Sequence, residues 1–263
     1  MMLSELKFYK YQGTGNDFVM IDNRKSHFKY DTKLVRRLCD RKFGIGADGL
    51  ICLENSLKNH IHFKMVYFNA DGNESTMCGN GGRCIVAFAK FLGLIEKSCV
   101  FEAIDGLHDA KIDERMNVEL KMKDVSKIED FSGNLVLDTG SPHFIKIVED
   151  VQALNVKKEG SEIRYSEQFK NEGINVNFIQ LKDHKLHIRT YERGVEDETL
   201  SCGTGVTAAA LASYDRQLVN ENPIYIKAKG GDLQVKFEKT TDGFENIWLI
   251  GPTQQVYKGY FLC

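Results

Sequence analysis

The stretch Met77-Cys78-Gly79-Asn80-Gly81-Gly82 and its counterpart Ser201-Cys202-Gly203-Thr204-Gly205-Val206 decide how this chain is read. Each sets a cysteine before Gly-polar-Gly, follows a β-rich stretch and opens an Ala-rich run, residues 85–92 in one case and 207–212 in the other. Such runs read as helices. Each sulfur then sits at a helix N-terminus, where the first backbone N–H groups have no intrahelical acceptor. Those amides favour thiolate and bind carboxylate. Two cysteines so placed and facing each other would form a proton-transfer pair.

Cys202 follows Cys78 by 124 residues, close to half of a 263-residue chain, which points to an internal duplication. Two further correspondences agree with it. Gly13-Thr14-Gly15-Asn16-Asp17-Phe18-Val19 and Thr139-Gly140-Ser141-Pro142-His143-Phe144-Ile145 each break a strand with a Gly-containing turn and then resume it. Tyr67-Phe68-Asn69-Ala70-Asp71-Gly72 and Thr190-Tyr191-Glu192-Arg193-Gly194 each end a strand on polar groups just before a cysteine loop.

Strand-like alternation recurs at 6–11, 18–22, 50–53, 62–68, 100–103, 110–112 and 118–122 in the first half. In the second half it recurs at 135–138, 144–148, 175–180, 186–191, 224–228, 233–237, 246–251 and 255–261. Helices are few: one capped by Asp31 and running through Arg41, a short one starting near Asp150, and two after the cysteine loops. Many strands per half, with one apolar helix to be covered, predict an α+β fold of two similar domains. Each would be a curled mixed sheet or barrel around a central helix, with a boundary near residues 123–126 and the active site in the interdomain cleft.

Composition narrows the function. The 35 basic residues against 37 acidic leave no basic excess, so nucleic acid is not an expected partner. No apolar run approaches the roughly 20 residues of a membrane span, and the opening residues 1–7 lack a signal-peptide core, so the chain reads as cytoplasmic. Seven cysteines in an odd set without short repeated spacing argue against a disulfide scaffold. His60 and His62 have no second ligand pair, so no metal is expected. Cys39, Cys52, Cys84, Cys99 and Cys263 lack the glycine setting and read as core filler or incidental thiols.

Removing a proton from a carbon beside an amine and a carboxylate needs positive potential near the carboxylate, and two helix N-termini supply it. With one sulfur on each face, one would take the proton while the other returns one, inverting the centre. Glu192-Arg193 reads as a carboxylate fork with an ammonium partner, or as a solvated ion pair. Asn16, Asn69 and Asn175 sit at strand ends, where asparagine serves substrates and local turns alike. His143 reads either as a core histidine or as a tuner of a thiol.

At these residues the chain resembles the diaminopimelate epimerases, which interconvert LL- and meso-2,6-diaminopimelate without a cofactor. The resemblance runs through residues 15–18, 68–72, 78–84, 175–178, 192–194, 202–205 and 251–252, from first strand to last. It implies that Cys78 and Cys202 are the acid/base thiols, and that Gly79, Asn80, Gly203 and Thr204 hold the substrate carboxylate. Asn16, Asn69, Asn175 and Arg193 would contact the rest of the substrate, with Glu192 and His143 tuning the thiols or binding the amine. It implies no cofactor, a homodimer, and domains of 1–124 plus a returning strand 252–263, and 125–251. The chain departs from the family at Gly49, where many members carry glutamine, and at Ser141, where many carry asparagine. The segment between Glu192 and Cys202 is also one residue longer. Related architectures, the proline or hydroxyproline racemases and phenazine-type isomerases, usually carry histidine where this chain has Asn80. A non-catalytic binder of small amino acids and a thiol redox enzyme are the readings from other classes.

Overall fold

A computed structural model describes residues 5–262, which separate into two compact units, one of residues up to Leu120 with those from Pro252 on, the other Lys121–Gly251. Cys263 and the first four residues lie outside the described residues.

The first unit contains β1 (Glu5–Gly13), β2 (Asn16–Asp22), α1 (Thr32–Cys39), β3 (Gly49–Glu54), β4 (Phe63–Asn69), α2 (Gly79–Phe91), β5 (Ser98–Ala103), β6 (Gly106–Ile112) and β7 (Asn117–Lys121). The second contains β8 (Ile128–Phe131), β9 (Asn134–Asp138), β10 (Pro142–Ile147), α3 (Val156–Arg164), β11 (Asn175–Lys182), β12 (Lys185–Glu192), β13 (Asp197–Thr199), α4 (Gly203–Asp215), β14 (Ile224–Ala228), β15 (Gly231–Thr240) and β16 (Gly243–Pro252). The last strand, β17 (Gln254–Leu262), pairs antiparallel with β1 in the first unit.

The duplication is written in the strand pairing. From β1 the first unit pairs antiparallel to β2, parallel to β3, antiparallel to β4, parallel to β5, then antiparallel to β6 and β7. From β9 the second unit repeats that order through β10, β11, β12, β14, β15 and β16. Both units are therefore mixed sheets of one topology.

Each sheet is covered on both faces, which explains why its central strands read as near-continuous apolar runs. Val19, Ile21, Leu50, Cys52, Val66 and Phe68 pack with Val35 and Leu38 of α1. On the other side α2 packs against β1, β2, β3 and β6, and its residues from Gly79 to Ala89 are all buried. Phe88 of α2 lies 5.0 Å from the ring of Tyr9 and 5.7 Å from that of Tyr11. Each such large apolar side chain contributes about 1.5–3 kcal/mol on full burial. In the second unit Val156 of α3 joins Phe144, Val176 and Phe178, while α4 packs against β9, β10, β11, β12, β14 and β15. The apolar helices after the cysteines are thus the covered ones.

Two local expectations are corrected, and two strands are added. The helix capped by Asp31 ends at Cys39 rather than Arg41, because Asp40 is extended and its carboxylate accepts from the N–H groups of Lys42 and Phe43. The helix expected near Asp150 starts at Val156. The Asp150 carboxylate closes a local turn onto Gln152, whereas Asn155 accepts from Lys158 in the N-cap position. Strands β8 and β13, Ile-Glu-Asp-Phe and Asp-Glu-Thr, carry too little apolar alternation to be read. They exist as backbone partners: β8 forms a hairpin with β9, and β13 pairs with the end of β12. Cys39, Cys52, Cys84 and Cys99 are buried free thiols. Among the described residues no helix is long and apolar enough to cross a membrane.

Candidate active site

Cys78 takes the N-cap position of α2 in extended conformation, and its side chain makes no capping bond. The first i→i−4 bond runs from Gly82 N–H to the Cys78 carbonyl at 2.7 Å, so the amides of Gly79, Asn80 and Gly81 precede the ladder. The thiol points at Asn16, whose Oδ1 lies 3.6 Å from Sγ and also accepts from Asn80 Nδ2 at 3.3 Å. Asn16 is turned that way by Asp48, which takes its Nδ2 at 2.7 Å. Asp48 is in turn held by Arg41. Burial alone would raise the Asp17 pKa, but hydrogen bonds and charge from Arg41 and Lys10 hold that carboxyl well below its ordinary range.

Strand register brings Asn69 to the same end of the sheet, since Phe18 pairs with Gly49 and Gly49 with Asn69. Asn69 is exposed, and its Oδ1 accepts from the Tyr67 hydroxyl at 2.9 Å. Tyr67 also bears on the neighbouring strand position, Gly49. A Cβ on Gly49 would lie 2.6 Å from both a ring carbon of Tyr67 and the Phe68 carbonyl oxygen, so the Tyr67 ring fills the space that a side chain there would take.

Cys202 N-caps α4 in the same way, with the first helical bond from Val206 N–H to its carbonyl at 2.8 Å. Its surroundings differ. Sγ lies 3.4 Å from Thr204 Oγ1, which is 3.3 Å from Ser141 Oγ, which is 3.0 Å from His143 Nε2. Donor counting assigns the protons. Thr190 Oγ1 donates to Asn177 Oδ1 at 2.9 Å, so the Asn177 amide nitrogen donates to His143 Nδ1 at 3.1 Å, and the ring proton resides on Nε2. Ser141 Oγ accepts from Nε2 and from Asn175 Nδ2 at 3.2 Å, leaving its own proton for Thr204. Thr204 then donates to the Cys202 sulfur, a contact that favours thiolate. His143 is fully buried, and burial pushes its pKa down to about 3, so it acts as a neutral donor. The packing is tight: a Cβ on Gly205 would lie 2.5 Å from Asn177 Oδ1 and 3.4 Å from His143 Cε1.

Around Cys78 the structure brings together Asn16, Gly79 and Asn80 in one hydrogen-bonded group. Around Cys202 it gathers Gly203, Thr204, His143 and Asn175. Asn175 Oδ1 also accepts from the Arg193 backbone N–H at 2.9 Å. The Arg193 guanidinium is exposed and donates to the Glu172 carbonyl at 3.0 Å, while Glu192 accepts from Thr199 Oγ1 at 2.8 Å. His143 is buried and has side-chain partners on both ring nitrogens, Ser141 and Asn177. The sequence left Asp48, Tyr67, Asn177 and Thr190 without roles and assigned none to Ser141, now the centre of the Cys202 network. The alternation Asn175-Val176-Asn177 was the available signal, because residues i and i+2 share a strand face. Among the described residues no group of three or more His, Cys, Asp or Glu side chains is placed to hold a metal ion.

Comparison with known proteins relates the chain to a family. The family model described as diaminopimelate epimerase matches the chain twice, over residues 8–128 and 135–255, once per unit. A diaminopimelate epimerase from Flavobacterium psychrophilum is 52% identical over 255 residues, covering 96% of this chain and 99% of the relative. One from Chlorobaculum tepidum is 44% identical over 259 residues, covering 94% and 98%. A solved phenazine biosynthesis protein of the PhzF family from Bacillus anthracis is similar with a TM-score of 0.79 and 14% identity, covering 99% of this chain and 100% of that one. That last likeness is one of fold.

Proposed function

The chain belongs to the diaminopimelate epimerase family, and from that premise we propose that Cys78 and Cys202 are the paired acid and base of a cofactor-independent epimerisation of 2,6-diaminopimelate. One sulfur removes the α-proton as thiolate and the other delivers a proton from its thiol to the opposite face of the same carbon. The N–H groups that open α2 and α4 bind the substrate carboxylate and offset the negative charge that builds as the proton leaves. Asn80 and Thr204, on those first turns, orient the carboxylate. Asn16, Asn69, Asn175, Glu192 and Arg193 contact the remainder of the substrate. The observation that carries the reading is positional equivalence: two cysteines each cap a buried 13-residue helix at the same place in a repeated topology.

The two sulfurs make complementary contacts, which a proton exchange between faces requires. Cys78 donates to an amide oxygen, whereas Cys202 receives a hydroxyl proton. The product serves lysine and peptidoglycan precursor synthesis in the cytoplasm, and the working form is a homodimer, as the family resemblance implies.

The test is conversion of LL-diaminopimelate to the meso form by purified protein under reducing conditions, with α-carbon deuterium wash-in followed in D₂O. Turnover should persist with EDTA and with hydroxylamine, a carbonyl trap. Cys78→Ala and Cys202→Ala should each abolish epimerisation while leaving substrate binding. Full turnover in either single variant would end the two-thiol reading.

A further inference from the structure

Arg83 lies on α2, five residues after Cys78, in a helix whose remaining buried side chains, Asn80 apart, are apolar or small. It is fully buried. Its guanidinium folds back to the first turn, where Nη1 donates to the Gly79 carbonyl at 3.2 Å and Nη2 donates to Thr14 Oγ1 at 3.1 Å and Asn80 Oδ1 at 3.0 Å. All three acceptors are neutral, and Nε has no hydrogen-bond partner among the described residues. A buried cation left with neutral acceptors is costly, and a retained one calls for an anion nearby.

We propose that Arg83 is the fixed counter-charge of the Cys78 thiolate, a positioning residue that favours the ionised sulfur and keeps Asn80 and Asn16 aimed at it. The inference rests on the reading of Cys78 as an acid/base thiol. Burial lowers the Arg83 pKa, and the ionisable groups that oppose this are Cys84 and then Cys78. Cys84 is buried and burial pushes its thiol up to about 12, so it stays protonated at neutral pH. Cys78 is the more exposed of the two and stands at the helix start onto which the Arg83 guanidinium folds back.

Asp17 is held by Lys10 and Arg41, Asp48 by Arg41. Asp105, in the turn between β5 and β6, accepts from His108 and from the Met77 N–H. Tyr11 of β1 is kept neutral by burial. The Cys78 S–H donates to Asn16 Oδ1, and the Arg83 guanidinium sits on the carbonyl of the next residue, Gly79. Because Arg83 also holds Asn80 Oδ1, it directs Asn80 Nδ2 at Asn16, which fixes the oxygen that receives the thiol proton.

The experiment follows iodoacetamide alkylation of Cys78 against pH in the full chain without substrate, read by mass spectrometry on the peptide that carries it. The parent protein should show a midpoint below the roughly 8.5 of a free thiol. Arg83→Gln should raise that midpoint by about one unit, slowing alkylation at pH 7 roughly tenfold. Arg83→Lys, which keeps the charge, should stay close to the parent. A packing role alone would affect both variants alike. A midpoint of Arg83→Gln that coincides with the parent's, or a parent midpoint at or above that of a free thiol, overturns the proposal. If circular dichroism shows Arg83→Gln unfolded, the parent midpoint and Arg83→Lys decide. No turnover is needed, so failure here is distinct from retained epimerisation by Cys78→Ala, which would sink the functional reading instead.

Discussion

Thr204→Val removes the hydroxyl that donates to the Cys202 sulfur while keeping the size and branching of the side chain. A hydrogen bond to a charged acceptor is worth about 1.5–3 kcal/mol, and the 3.4 Å separation places this one at the low end. Removing it should raise the Cys202 pKa by roughly one unit, since a unit corresponds to about 1.4 kcal/mol. The assay is kcat/KM for diaminopimelate epimerisation against pH. Its acidic limb reports the thiolate of the free enzyme. That limb should move up by about one unit, with roughly tenfold lower kcat/KM at pH 7. Thr204→Ser retains the hydroxyl and should keep the parent limb. Ser141→Ala frees the Thr204 proton to rotate and leaves the buried His143 Nε2–H without its acceptor. It should shift the limb less and cost about 1–3 kcal/mol of stability. Coincident pH profiles for Thr204→Val and the parent would refute the relay from His143 to Cys202.

Two further outcomes follow from the same geometry. His143 is held near pKa 3 by burial against about 6.5 in an unfolded chain. The unfolded state therefore binds the extra proton first, and the cost of keeping the ring neutral grows as pH falls from 6.5 toward 3, about 2 kcal/mol at pH 5. Urea melts of the parent and His143→Gln should show that excess acid sensitivity in the parent; parallel stability–pH curves would contradict it. Tyr67→Phe removes the donor that sets the Asn69 amide. It should raise KM for diaminopimelate several-fold with kcat nearly unchanged, and an unchanged KM would show that Asn69 needs no such lock.

The repeat was legible because duplicated chemistry leaves duplicated letters. The Cys-Gly-polar-Gly elements, the glycine turns near Gly15 and Gly140, and the apolar helices all recur at a spacing of about half the chain, and the family model finds the same two copies. Elements whose residues face a packed layer were readable through periodicity. Strands β8 and β13 were not, since they are held by backbone pairing and carry little buried apolar surface. The start of α3 turned on two competing caps, Asp150 and Asn155, that look alike in sequence and differ only in which N–H each reaches.

By itself the sequence determined that two cysteines stand at equivalent helix starts, because helix propensity, glycine and apolar pattern act over a few neighbouring residues. It also pointed to the asparagines and Glu192-Arg193 as the polar groups nearby. Only the tertiary structure decided which proton goes where. Asp48 meets Asn16 across 32 positions, Asn177 meets His143 across 34, and Ser141 meets Thr204 across 63. Such pairings depend on strand register and on how many donors and acceptors converge in a buried space. The same reason hid Arg83: in sequence it is one of two basic residues in a largely apolar helix, and only its burial against neutral acceptors sets it apart.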